Sequence, residues 1–227
     1  MQRRTLDIIV SLGGLGLVIL LVVGGFVLRD QGNFSKDYVQ RELSDQQITF
    51  TAADKLTEAD LAWTEARTGC TIKYAGELLT TGKQAECFAN EYLGGHLAHM
   101  PTADNPLTYS QIGAVQSDLR SQITIAKNAG NTDLAADLQK QVDSLTTTRD
   151  TVFKGEMLRG ALLTTYGFST LGERALLAST IAFGAAAVLL VLSGAGLVHA
   201  FVTPRSQAFA PVEEPKAGGV AGQAVKA

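Results

Sequence analysis

Residues 175–203 read ALLASTIAFGAAAVLLVLSGAGLVHAFVT. The run holds no Lys, Arg, Asp or Glu, and His199 is its one ionisable side chain. At about 1.5 Å per residue, roughly twenty apolar residues cross a hydrocarbon core of about 30 Å, so this run predicts a transmembrane helix with length to spare for tilt. Residues 8–28, IIVSLGGLGLVILLVVGGFVL, form a second such run between Asp7 and Arg29. Arg3 and Arg4 precede it as they would in a secretory signal. Yet about twenty-one apolar residues exceed the usual apolar region of roughly 7–15, and no A-x-A-like cleavage site follows, which favours an uncleaved span.

The chain has 227 residues, a net charge of −3, two Cys and 23 Gly. Its mean hydropathy of +0.13 averages two apolar stretches with a polar middle and describes neither. Arg3 and Arg4 flank the first span; Arg205, Lys216 and Lys226 follow the second. By the positive-inside rule this places both termini in the cytoplasm, although Arg29 and Arg174 at the other ends weaken the asymmetry. The expected organisation is a cytoplasmic N-terminus (1–7), transmembrane helix 1 (8–28), a helical extracytoplasmic domain (29–174), transmembrane helix 2 (175–203) and a disordered cytoplasmic tail (204–227). The fold class is therefore an all-α membrane protein, with two transmembrane helices flanking a mostly helical domain. Between the spans stand 19 acidic and 12 basic side chains, a net charge of −7. A surface of that sign disfavours nucleic acid and anionic lipid headgroups, which both call for a basic patch.

Cys70 and Cys87 both lie in this acidic segment. In an oxidising compartment such a pair forms a disulfide, worth about 3 kcal/mol in the chain-entropy account; the alternative is two buried free thiols. The C-x16-C spacing matches no zinc or thioredoxin-like pattern.

Local signals divide the domain into helices. Asn33 or Ser35 is placed to cap a helix through KDYVQRELSDQQ. Ile48-Thr49-Phe50 reads as a short extended link. Thr57 with Asp60 resembles a capping box before a short helix that carries Trp63, which is expected to pack in the core, the alternative being an exposed binding anchor. Thr80 or Thr81 starts a helix with Ala85, Phe88, Ala89, Tyr92 and Leu93 on one face; Gly94-Gly95 weakens it and Pro101 stops it. Thr108 starts another, with Ile112, Val115, Leu119 and Ile123 in line, and Gly130-Asn131 ends it. Leu134, Leu138, Val142 and Leu145 mark the next. From Thr151 the chain either continues as helix into the second span or breaks between Gly167 and Gly172.

Few residues carry chemistry. No G-x-S-x-G, Walker A or G-x-G-x-x-G pattern is present, and no catalytic residue or cofactor is assigned. His96 and His99, three apart on a helix, could share a metal ion, but HExxH is absent and a third ligand would have to come from elsewhere. One packed and one solvated His is the plainer alternative. Glu156 and Arg159 in FKGEMLRG, with Tyr166, stand near the membrane surface, where they orient the helix or contact a partner. Gly13, Gly14, Gly16, Gly24 and Gly25 in the first span and Ser179, Gly184, Ser193, Gly194 and Gly196 in the second let helices approach closely, whether each other or a partner's.

The order DYVQRELSDQQITF, YAGELLTTGKQAECFANEYLGGHLAHM, TYSQIGAV and FKGEMLRGALLTTYGF ahead of a second span resembles a family of small actinobacterial two-span membrane proteins of uncharacterised function. TTGKQA with His96-Leu97, and FKGEMLRG with Tyr166, are its most specific pieces. The resemblance implies topology and a bacterial envelope setting. Some members bear an automatic label of aromatic ring-opening dioxygenase. A facial-triad iron site needs two His and a carboxylate around an open metal position, and here the domain's two His are neighbours on one helix.

These readings converge on a non-enzymatic membrane protein, embedded in the lipid bilayer, that binds or stabilises another membrane or envelope protein; self-association is a further possibility. The alternatives are a sensor-like ligand-binding module and a metal-binding extracytoplasmic protein using His96 and His99.

Overall fold

The computed structural model describes residues 3–100 and 108–202. The expected stop at Pro101 and the expected disordered tail beyond Thr203 lie outside the described residues. Every regular element described is helical: α1 (Arg3–Asp45), a 3-10 turn (Ala53–Lys55), α2 (Glu58–Glu65), α3 (Cys70–Lys73), α4 (Gly82–Cys87), a π-helical turn (Phe88–Leu93), α5 (Gly94–Ala98), α6 (Tyr109–Asn128) and α7 (Thr132–Val202). Two of these, α1 and α7, are long and apolar enough to cross a membrane, and they flank the shorter helices. The chain divides into two compact units, one holding residues 3–27 and 178–202 and the other the described residues from 28 to 177.

In the first unit, small side chains set the spacing of the two helices. Ser179 Oγ donates to Gly25 O at 2.8 Å, Gly14 lies against Ser193, and Gly196 lies against Ser11. A Cβ at Gly25 would come 2.7 Å from the Phe183 ring, which meets Phe26 edge-on at 5.1 Å. Bulkier residues at these points would force the backbones apart.

In the second unit, α1 continues unbroken to Asp45, so neither Asn33 nor Ser35 caps a new helix. Ser35 instead turns sideways: its Oγ donates to Phe168 O on α7 at 2.9 Å. Gly32 and Gly172 face each other there, and a Cβ at Gly32 would come 2.9 Å from Gly172 O. A local capping signal loses where a neighbouring helix supplies an acceptor. Likewise α7 runs straight through Gly167 and Gly172, because the segment holds no proline and Gly172 is where Ser35 packs.

The other caps act as their sequence suggests. Thr57, Thr81 and Thr108 each accept from the backbone N–H three residues on, while Asp60, Gln84 and Gln111 reach back. Gly130, at φ +75°, turns the chain between α6 and α7, and Asn131 Oδ1 accepts from Leu134 N at 3.1 Å. The extended link at Ile48–Phe50 pairs with 77–79 as an isolated antiparallel bridge, with Leu79 N donating to Ile48 O at 2.8 Å.

Two cores result. Val39, Leu43, Phe50, Leu79, Phe88 and Leu162 fill one. Leu119, Ile123 and Ala126 of α6 meet Ala135, Leu138 and Val142 of α7 in the other. Val115, within the predicted α6 stripe, and Leu134, the first member of the α7 stripe, are exposed, while Ile112 and the polar Gln116 are buried in α6; a two-helix contact buries a narrower strip than a full bundle would.

Cys70 and Cys87 are joined in a disulfide with Cα atoms 5.9 Å apart, tying α3 to α4. The free-thiol alternative is thereby set aside. Cys70→Ser with Cys87→Ser is expected to lower the stability of this unit by about 3 kcal/mol. Thermal unfolding followed by circular dichroism, with and without reductant, measures it; equal melting of both proteins would refute the assignment.

Candidate functional site

The most constrained polar group of the second unit is Glu91. It follows Cys87 by four residues on the π-helical turn and is buried. Thr68 donates to its Oε1 through both its backbone N–H, at 2.9 Å, and its hydroxyl. Cys70 N (3.0 Å), Thr71 N (3.4 Å) and the Thr64 hydroxyl donate to its Oε2. Gly69, at φ +69°, makes this wrap possible, since the left-handed turn aims successive N–H groups at one anion. Burial pushes the carboxyl pKa up, but hydrogen bonds from Thr64 and Thr68 outweigh it and hold Glu91 below the usual glutamate range.

A cleft of about 350 Å³ opens beside this cluster, lined by the disulfide, Lys73, Lys83, Glu86 and Asn90. Cys70, Cys87 and Glu91 place three potential metal-ligating atoms within 4.8 Å of one another. In this oxidised form the two sulfurs are spent on each other and the carboxylate already accepts five hydrogen bonds. The donor set therefore fits a structural clamp, in which an anion caps the short α3 and the disulfide holds it shut.

His96 and His99 have separate surroundings. Each hydrogen-bonds through Nδ1 to the carbonyl four residues back, Tyr92 O at 2.9 Å and Gly95 O at 2.8 Å. The His96 ring lies against Tyr92 and the His99 ring meets Trp63 edge-on. Among the described residues no third ligating side chain closes with this pair. Trp63 is half-buried rather than central: it seats against Gly95, where a Cβ would come 2.9 Å from its ring, and Arg67 Cζ lies 3.3 Å from its ring centroid.

No family model, curated protein or solved structure matches this chain.

Glu156, Arg159 and Tyr166 come together only in part. Glu156 and Arg159 approach to 3.6 Å, and Arg159 Nη2 donates to Asn90 Oδ1 at 3.3 Å. The Tyr166 hydroxyl accepts from Lys83 Nζ at 3.1 Å, and that bond, with the one to Glu86, raises the Lys83 pKa. Arg159 and Tyr166 thus tie α7 to the 82–93 segment. Glu91 is a hub that the sequence analysis does not single out; the signal lies in Thr64, Thr68 and Thr71, hydroxyls spaced by four and three ahead of a glutamate one turn past a cysteine.

Glu91 also sets an acid limit. Its folded pKa lies below the unfolded value, so its stabilisation is complete above about pH 4.3 and is lost as pH falls through the folded pKa. Glu91→Gln is expected to lower stability by about 2 kcal/mol at pH 7 and to flatten the loss of stability below pH 5. Urea unfolding across pH 3–7 checks both; parallel pH profiles for the two proteins would remove Glu91 from the account.

Proposed function

We propose that this chain is a non-enzymatic two-span membrane protein whose spans and acidic helical domain bind and stabilise another membrane or envelope protein. One observation carries the reading. The small residues of the apolar helices fall into two sets. Gly14, Gly25, Ser179, Ser193 and Gly196 are used where α1 and α7 meet. Around Gly13, Gly16, Gly24, Gly184 and Gly194 an added Cβ would meet nothing within 4 Å.

A glycine inside a helix costs about 1 kcal/mol relative to alanine, and on a lipid-facing surface it gives up apolar contact as well. Gly13, Gly16 and Gly24, at steps of three and eight, lie on one flank of α1, away from the residues that meet α7. Such a flank suits close approach by another transmembrane helix. The apolar windows of both helices are 11% buried, which leaves wide faces for lipid and for a partner.

The disulfide supports placing the 29–174 segment in an oxidising compartment outside the cytoplasm. That placement agrees with the Arg3–Arg4 flank and with the resemblance to small actinobacterial two-span proteins. The satisfied Glu91 clamp supports a structural role for the domain.

Gly16→Leu is expected to abolish a stoichiometric complex recovered in mild detergent and to leave the fold intact. Gly14→Leu, which strikes the α1–α7 contact, is expected to lower stability. Native mass spectrometry of the purified chain and its variants reads both. Recovery of the wild-type chain alone, or a complex indifferent to Gly16→Leu, would overturn the reading.

A further inference from the structure

The α6–α7 hairpin carries an arginine that is held firmly and given no acid. A Cβ at Gly113 of α6 would come 2.9 Å from Arg149 Nη2 and 3.1 Å from Cζ, so the guanidinium fills the space that the glycine leaves. The Tyr109 ring lies against its face, with Cζ 4.2 Å from the centroid. Arg149 Nη1 donates to Gln116 Oε1 at 3.3 Å. Gln116 is 1% exposed, and its Nε2 donates to Thr146 Oγ1 at 2.8 Å and Val142 O at 3.4 Å, which turns the amide oxygen toward the arginine. Arg149 Nε is buried and has no acceptor.

The charge around it is unbalanced. Among the described residues neither Arg149 nor the exposed Arg120 makes a salt bridge, in a segment of net charge −7 where carboxylates are plentiful. The nearby carboxylate, Asp150, is bonded to Lys154 at 2.6 Å. A partly buried guanidinium without a counter-charge is costly, and this one is pre-positioned by a ring, an amide and a glycine gap.

A cavity of about 260 Å³ lies between the two arginines, with Gln116 and Thr146 in its wall and Tyr109 and Phe153 as its apolar side. The two rings pack at 5.6 Å. Ligand pockets for drug-sized molecules run from roughly 300 to 1,000 Å³, so the occupant is small.

We propose that this cavity binds a small organic monocarboxylate, its anionic group taken by Arg149 and Arg120 and its apolar body by Tyr109 and Phe153. Planar guanidinium donors match a carboxylate through paired hydrogen bonds. Asp150, which also lines the cavity, repels a dianion such as phosphate more strongly than a monoanion. The site is independent of any transmembrane partner.

The test uses the full chain in zwitterionic nanodiscs, titrated with benzoate and followed by saturation-transfer NMR. Saturable binding is expected for benzoate, and at least tenfold weaker binding for its neutral isostere benzamide. Arg149→Lys, which keeps the charge but loses the fork, is expected to weaken benzoate at least tenfold. Arg120→Gln, at an exposed position where folding is not at stake, is expected to weaken it about fivefold. Equal binding of benzoate and benzamide, absence of saturable benzoate binding, or benzoate binding unchanged by Arg120→Gln would overturn the proposal. Inorganic phosphate competing at lower concentration than benzoate would overturn it as well, in favour of a phosphate site.

Discussion

The small helices of the second unit depend on one buried carboxylate. An α3 of four residues and an α2 of eight are too short to persist alone. Glu91 gathers donors from Thr64 at the end of α2, from Thr68 in the connection and from Cys70 and Thr71 at the start of α3. The disulfide then joins α3 to the helix that carries Glu91. Removing the carboxylate would leave these N–H and hydroxyl donors without their acceptor, and leaving the charge unpaired would be as unfavourable. The arrangement is stable because donors and charge balance.

The second theme is economy of side-chain volume. Gly82 of α4 sits against Ser169 of α7, Gly155 of α7 receives Leu97, and Gly172 receives Ser35. At each place a larger side chain has been given up so that a neighbour can come close. The same device serves Gly14 and Gly25 in the apolar unit. Elsewhere the second unit keeps large apolar groups exposed, such as Phe153, Met157 and Leu171 along α7, at helical steps of four and fourteen.

What could be read in the chain divides by the range of the interaction. The capping box at Thr57 and the helix starts at Thr80 or Thr81 and at Thr108 rest on residues three apart, and local reading finds them; that Thr81 and Thr108 also close capping boxes is seen in the structure. The two apolar runs are long and free of charge, and they stand out for the same reason. Ser35 has the composition of a cap but is recruited by Phe168 O, 133 residues away, which no local rule contains. Nothing local marks Glu91, since its donors come from the preceding 64–71 stretch, folded around Gly69. Arg149 looks like any surface arginine until Gly113 and Gln116, on another helix, are brought to it.

The π-helical turn at Phe88–Leu93 governs more than its own six residues. A π turn takes one residue more than an α turn, so everything beyond it is rotated by about 100° relative to an uninterrupted helix. That phase offset lets one continuous rod satisfy two azimuths: Cys87 and Glu91 point toward α3, while Gly95 presents its bare backbone to Trp63. Deleting a single residue between 88 and 93 would perfect the local helix and misalign the whole segment, swinging a side chain into the place that Gly95 keeps open. The irregular turn is the keying that sets angular register between the clamp and the tryptophan seat.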